Sequence, residues 1–265
     1  MINLVHAELY KLKKTFSFKV LLGITTVSAV IMSIIASLIS LGKMDVSMSG
    51  IGFLLSDMSM ISILGAVISG VIISGDFENK TIHDAITNGY SRTKVILSKT
   101  IIFSISIALL LLPYAVVTGV GIALNHEYDM GSVALGFLNL LTTTSNAELP
   151  FSEIGKLVVL MLTLLFVYVA QLSICIPLAL ILKKPIFVVA IYYGLSFLCG
   201  QLAGLREKSR VFKHIFDATP YGGNYAMMSL DTGIGDVIRA IGVSVIFLIV
   251  ILMITIGAFR KMELK

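Results

Sequence analysis

The chain alternates long apolar stretches with short polar ones. Six stretches contain no Asp, Glu, Lys or Arg: 20–42, 58–75, 100–125, 157–182, 185–205 and 240–259. A helix needs about 20 mainly apolar residues to cross the hydrocarbon core of a bilayer. In lipid every backbone polar group must be satisfied within the chain, so such stretches form helices and not open strands. With their flanks they predict spans at about 18–41, 51–75, 95–124, 155–182, 185–205 and 237–259. A seventh charge-free stretch, 130–147, has an apolar centre at 133–141 that contains Gly136 and Asn139, and a polar end at 142–146. It is too short to cross and reads as an interfacial or re-entrant piece.

Two polar stretches carry their own periodicity. Ile2, Val5, Leu9, Leu12 and Phe16 recur at steps of three and four, which places them on one face of a helix over 2–16. Lys11, Lys13 and Lys14 lie elsewhere around it. This segment is either a basic amphipathic helix lying on the membrane surface or a snorkelling basic flank. The apolar stretch that follows is longer than a signal-peptide core of about 7–15 residues, so it reads as a retained span. The second connection, 75–94, places Asp76 and Glu78 at the expected start of a short helix, where the macrodipole favours acids. Ile82 and Ile86 stand four apart with Ala85 beside them, giving one apolar stripe. Gly89 is a helix stop, and Ser91 can cap the helix entering the third span. Such an element can dock on a soluble partner; it can also be a plain polar connection.

Composition agrees with a membrane protein. Of 265 residues, 57% are hydrophobic and 13% charged, and mean hydropathy is +0.99. A soluble domain carries about 25% charged residues. Disorder, a disulfide-stapled scaffold and a nucleic-acid-binding domain are excluded; the net charge of +5 is explained by basic flanks and anionic headgroups. Cys175 and Cys199 lie in apolar runs and read as small hydrophobes. With six spans and both termini on one side, that side receives 13 of the 20 Lys and Arg residues and the other seven. The bias places both termini in the cytoplasm. The third connection, 126–153, has no Lys or Arg and falls outside. The fifth is less regular, since Arg206, Lys208, Arg210 and Lys213 cluster on the outer side; with Phe212, Ile215 and Phe216 it reads as a basic interfacial helix, followed by a turn at Pro220-Tyr-Gly-Gly.

The N-terminal Ala-Glu-Leu-Tyr-Lys-Leu-Lys-Lys, the six spans, the segment Glu78-Asn79-Lys80-Thr81-Ile82 and the later Ser91, Arg92 and Lys99 resemble the permease subunits of type-2 ABC transporters. Small Gram-positive permeases of lantibiotic immunity, bacitracin resistance and peptide export look most similar. The resemblance implies an all-α integral membrane protein of six transmembrane helices with cytoplasmic termini, an N-terminal amphipathic surface helix and a short cytoplasmic coupling helix. It implies that Glu78, Lys80, Thr81, Ile82, His83 and Asp84 meet a cytoplasmic ABC ATPase; Ile82 and Ile86 would supply the apolar anchor by their spacing. The resemblance further implies a second permease copy or a sister permease as partner, and ATP and Mg held by the ATPase.

The chain itself has no Gly-x-x-x-x-Gly-Lys-[Ser/Thr] phosphate loop, so no cofactor is expected on it and no ATP hydrolysis of its own. His6, His83, His126 and His214 all lie outside the spans, which leaves an intramembrane hydrolase without a base. Proton or sodium relays need ionisable groups at depth, and only Asp57 is a candidate. Asp57 reads as an interfacial residue reaching the headgroups or, with Gln171, Tyr192 and Tyr193, as a contributor to a substrate path. Pro113 and Pro177 are candidate kinks. The rows Ala66/Gly70/Ser74 and Gly65/Ser69 suit close helix packing. The expected function is the permease of an exporter of peptide-like or amphipathic substrates, in a bacterial cytoplasmic membrane. The competing expectation is a non-transporting sensor or assembly protein that docks a partner through the same loop.

Overall fold

A computed structural model describes residues 1–124, 126–131, 134–144, 151–206 and 208–262, except the side chains of Glu78, Phe151 and Ser152. Among the described residues the chain is helical and contains no strand. In chain order the helices are α1 (Ile2–Lys14), α2 (Phe16–Ser40), α3 (Ser49–Leu54), α4 (Asp57–Ser69), α5 (Gly75–Glu78), α6 (Thr81–Thr87) and α7 (Arg92–Ala123). Then come α8 (Gly136–Thr144), α9 (Phe151–Leu172), α10 (Cys175–Leu182), α11 (Pro185–Ala203), α12 (Arg210–Asp217) and α13 (Ile234–Lys261). Six helical stretches are long and apolar enough to cross a membrane: Phe16–Ser40, Val46–Phe77, Arg92–Ala123, Glu153–Leu182, Pro185–Ala203 and Ile234–Lys261. The protein is therefore a multi-pass membrane protein.

Two of the six are interrupted, each for a local reason. The second contains a turn between α3 and α4, where the Ser56 hydroxyl donates back to the Phe53 carbonyl at 2.6 Å, and a π-helical turn at Gly70–Ser74. The fourth breaks between α9 and α10. Pro177 has no N–H for the Ser173 carbonyl; that carbonyl instead accepts from Ile176 N at 3.0 Å in a tighter turn. Pro113, by contrast, lies inside a continuous α7.

The core is centred on α7, which packs against α1, α2, α4, α8, α9 and α13. Its Phe103, Ile107, Leu110 and Tyr114 are completely buried. Close helix approach follows the small residues. A Cβ on Gly65 would stand 2.7 Å from Leu172, and one on Gly70 2.6 Å from the Pro185 side chain. The last two spans are peripheral: of their most apolar stretches only 11% (α11) and 17% (α13) is buried, against 61% for α7.

Contacts sort the molecule into two ends. Arg92 at the start of α7 donates to the carbonyls of Phe259, Arg260 and Met262, and Lys99 reaches Glu8. The N-terminal helix, the α5–α6 connection and the end of α13 thus share one end, called here the loop end. At the far end the 130–147 stretch supplies α8, only nine residues long, with Phe137, Leu138, Leu140 and Leu141 buried against α4, α7 and α9. It enters the bundle without crossing it. Residues 125, 132, 133 and 145–150 of that connection lie outside the described residues.

Candidate functional site

The α5–α6 connection is built differently from the single helix its sequence suggests. Helix α5 continues the second span, and a turn at Asn79–Lys80 separates it from α6. Lys80 takes a left-handed conformation, φ +56°, which glycine adopts with less strain. Asp76 consequently lies at the end of a descending helix, not at the start of a new one, and the macrodipole argument does not apply to it. The stop is as expected: Gly89 has φ +87°, and its N–H and that of Tyr90 close onto Ile86 and Ala85. The Ser91 hydroxyl accepts from Lys94 N at 3.4 Å.

Asp76 is buried and anchors a four-membered charge cluster. Its carboxylate pairs with Lys99 and with Lys11. Lys99, 2% exposed, pairs in turn with Glu8 at 2.5 Å. Burying charge is affordable only when it is paired, and here two acids meet two lysines drawn from α1, α5 and α7. Sequence reasoning missed this cluster because its members lie up to 91 positions apart. The signal was Lys99, a lysine just inside the apolar third span with no local acid. Phe77 extends the network through rings and cations. It meets Phe259 edge-on at 6.3 Å between centroids, and Lys183 lies over its ring at 5.5 Å. The connection is therefore tied to α1, α7, α13 and the turn between α10 and α11.

The predicted coupling residues divide by exposure. Ile82 is buried within this chain at 1% exposure, and Ile86 is half-buried against the core. The apolar stripe of α6 is already used internally, so Ile82 is not an open anchor for a partner. What the loop presents is polar: Lys80 and Asp84 are exposed, and His83 is half-buried. The Thr81 hydroxyl donates to the Asp76 carbonyl at 3.3 Å. The Glu78 side chain lies outside the described residues.

Of the four predicted path residues, three are buried and Tyr193 is exposed. Asp57 is fully buried and does not reach the headgroups. It accepts from the backbone N–H groups of Phe137 at 3.1 Å and Leu138 at 3.4 Å and from the Tyr168 hydroxyl. It therefore binds the N-terminus of α8, where the helix dipole favours a carboxyl. Gly136 makes this possible: its φ is +62°, and a Cβ there would stand 2.1 Å from both Asp57 Oδ2 and the Tyr168 oxygen. Gln171 is buried too. Its side-chain amide donates to the Pro220 carbonyl at 2.8 Å, and its backbone carbonyl accepts from the Tyr221 hydroxyl at 2.6 Å. These bonds hold the Pro220-Tyr-Gly-Gly turn inside the bundle. Tyr192 is buried. Tyr193, 45% exposed, lines a cavity of about 350 Å³ between α4 and α11, with Met58, Ser59, Ser62, Ser196 and Gln201. This groove combines apolar walls with hydroxyls and an amide, a lining suited to an amphipathic molecule.

No protein-family model matches the chain, and no curated protein matches it.

Proposed function

We propose that the chain is the permease subunit of an ATP-driven exporter resembling the type-2 ABC family. The termini and the α5–α6 loop would face the cytoplasm of a bacterial cell, with α1 lying on that membrane surface. A separate ATPase would bind ATP and Mg and dock on the loop; a second permease would complete the transporter. Cargo of peptide-like or amphipathic character would leave along the groove lined by Tyr193. The observation that supports this reading best is the wiring of the loop. A short polar tip is fixed through Asp76, Phe77 and Ile82 to several helices at once, as a lever between a soluble motor and the spans must be.

The structure changes the coupling picture the sequence suggested. Lys80, His83 and Asp84 supply the contact with the ATPase, and Ile82 transmits its movement inward. The test is co-purification of the ATPase encoded with this chain, together with ATP-driven export, for Lys80→Ala/Asp84→Ala at matched membrane levels. Loss of both with normal folding supports the reading; wild-type values for both overturn it. In the sensor reading the partner still co-purifies but no ATP-driven export exists in the wild type. Sidedness is checked by impermeant thiol labelling of intact cells after Cys175 and Cys199 are removed. A cysteine at position 129 should react and one at position 84 should not.

A further inference from the structure

At the far end, α12, the turn after it and the start of α13 enclose a charged cleft of about 360 Å³. Arg206, Lys213 and Arg239 line it together with Asp217, Asp231 and Asp236. Arg206 and Asp217 pair with each other at 2.9 Å. Among the described residues, Lys213, Arg239, Asp231 and Asp236 form no ion pair within 4.0 Å, although they line one cleft. The Arg206 Nε is buried and has no acceptor. The cleft thus offers two cations beside two carboxylates that form no ion pair among the described residues.

A second feature adjoins it. An apolar groove of about 600 Å³ runs between α9 and α13, with Val159, Leu160, Ile234 and Val237 on its walls. It shares Asp231, Thr232 and Gly233 with the charged cleft, so the two adjoin. Beside them α12 leaves Val211 and Ile215 uncovered, at 70% and 65% exposure, a face that suits lipid at the membrane boundary.

We propose that this composite site binds a zwitterionic phospholipid. The phosphate is held by Lys213 and Arg239, the ammonium by Asp231 and Asp236, and one acyl chain by the α9/α13 groove. Within the cleft two cations stand against two carboxylates, which selects a head that carries both signs; Lys156, which lines the adjoining groove, is engaged by the Leu230 carbonyl. An anionic head would leave the carboxylates facing it, and an uncharged diacylglycerol would leave Lys213, Asp231 and Asp236 without an ion-pair partner. The site does not depend on the export reading and would exist equally in a sensor.

The test is native mass spectrometry of the full chain in mild detergent, titrated with phosphatidylethanolamine, phosphatidylcholine, phosphatidylglycerol or diacylglycerol. Both zwitterionic lipids should be retained in preference to the other two. Lys213→Gln/Arg239→Gln should lower that retention about a hundredfold, the loss of two charge-assisted hydrogen bonds, while Arg210→Gln outside the cleft should not. Asp231→Asn/Asp236→Asn should shift preference toward phosphatidylglycerol, an inversion that loss of structure would not produce. Equal retention of all four lipids overturns the proposal. So does a zwitterion preference that survives in both double variants when each remains monodisperse.

Discussion

Asp57 and Asp76 are both buried carboxyl groups at the ends of the same interrupted span, roughly 28 Å apart along a helix, yet they are satisfied by different means. Asp76 is held by charge: Lys99 and Lys11 pair with it, and Glu8 shares Lys99. Asp57 is held by dipoles: two backbone amides at the start of α8 and the Tyr168 hydroxyl, with no cation among its hydrogen-bond partners. Side-chain ion pairs can exchange partners, and Lys11 is half-open to water at 45% exposure. A carboxyl clamped by backbone amides behind a glycine has no such freedom. The loop end is therefore held by side-chain charges and the far end by backbone dipoles.

The contrast is broken most severely by Lys99→Met. It leaves Asp76 with Lys11 alone and Glu8 without its partner, and should cost about 3–5 kcal/mol. Adding Asp76→Asn and Glu8→Gln should recover much of that loss, read as thermal unfolding in detergent. At the far end, Asp57→Ala leaves three donors without an acceptor and should cost about 2–3 kcal/mol. Gly136→Ala attacks the same clamp by steric overlap and should fall near it, about 1–3 kcal/mol. If Asp57→Ala proved silent, the clamp would not be holding α8.

The next comparison lies within the loop. Ile82→Ser should lower thermal stability by about 2–4 kcal/mol, as other truncations of buried apolar side chains do. Asp84→Ser on the exposed face should leave stability within about 0.5 kcal/mol of wild type. Equal effects would mean that Ile82 is not seated in the core.

The smallest expected effect concerns Asp217. Burial alone would raise its pKa, but the Gly223 amide and the Arg206 guanidinium outweigh it and hold it below the ordinary carboxylate value. A lowered folded pKa contributes stability above the unfolded value of about 3.9, and that contribution disappears as pH falls through the folded value. Hydrogen exchange at Gly223 should therefore rise below about pH 4 and be insensitive to pH-linked opening in Asp217→Asn.

The spans were legible because insertion depends on summed hydropathy along one dimension. Six uncharged stretches in the sequence correspond to six helices long and apolar enough to cross. Local stops were legible for the same reason: Gly89, Ser91 and Pro177 act on backbone groups a few residues away. What could not be read was the partner of each buried polar group. Asp57 looked interfacial because nothing near it in sequence could satisfy it; its acceptor sites are filled by Phe137, Leu138 and Tyr168. Ile82 looked like a docking anchor because an apolar stripe does not say whether it faces another protein or its own.

The two carboxyl clusters also differ in when they can close during synthesis. Glu8, Lys11, Asp76 and Lys99 all lie within the first 99 residues, so the ion pairs can form while the third span is still leaving the ribosome. Asp57 must wait for Tyr168, 111 positions later. At about 5–20 residues per second, that is a delay on the order of 10 s. During that interval a nascent span carries an unclamped carboxyl, and the insertion machinery or water must accommodate it. Slow or interrupted translation between residues 57 and 168 would prolong the stage at which this membrane protein is most open to quality control.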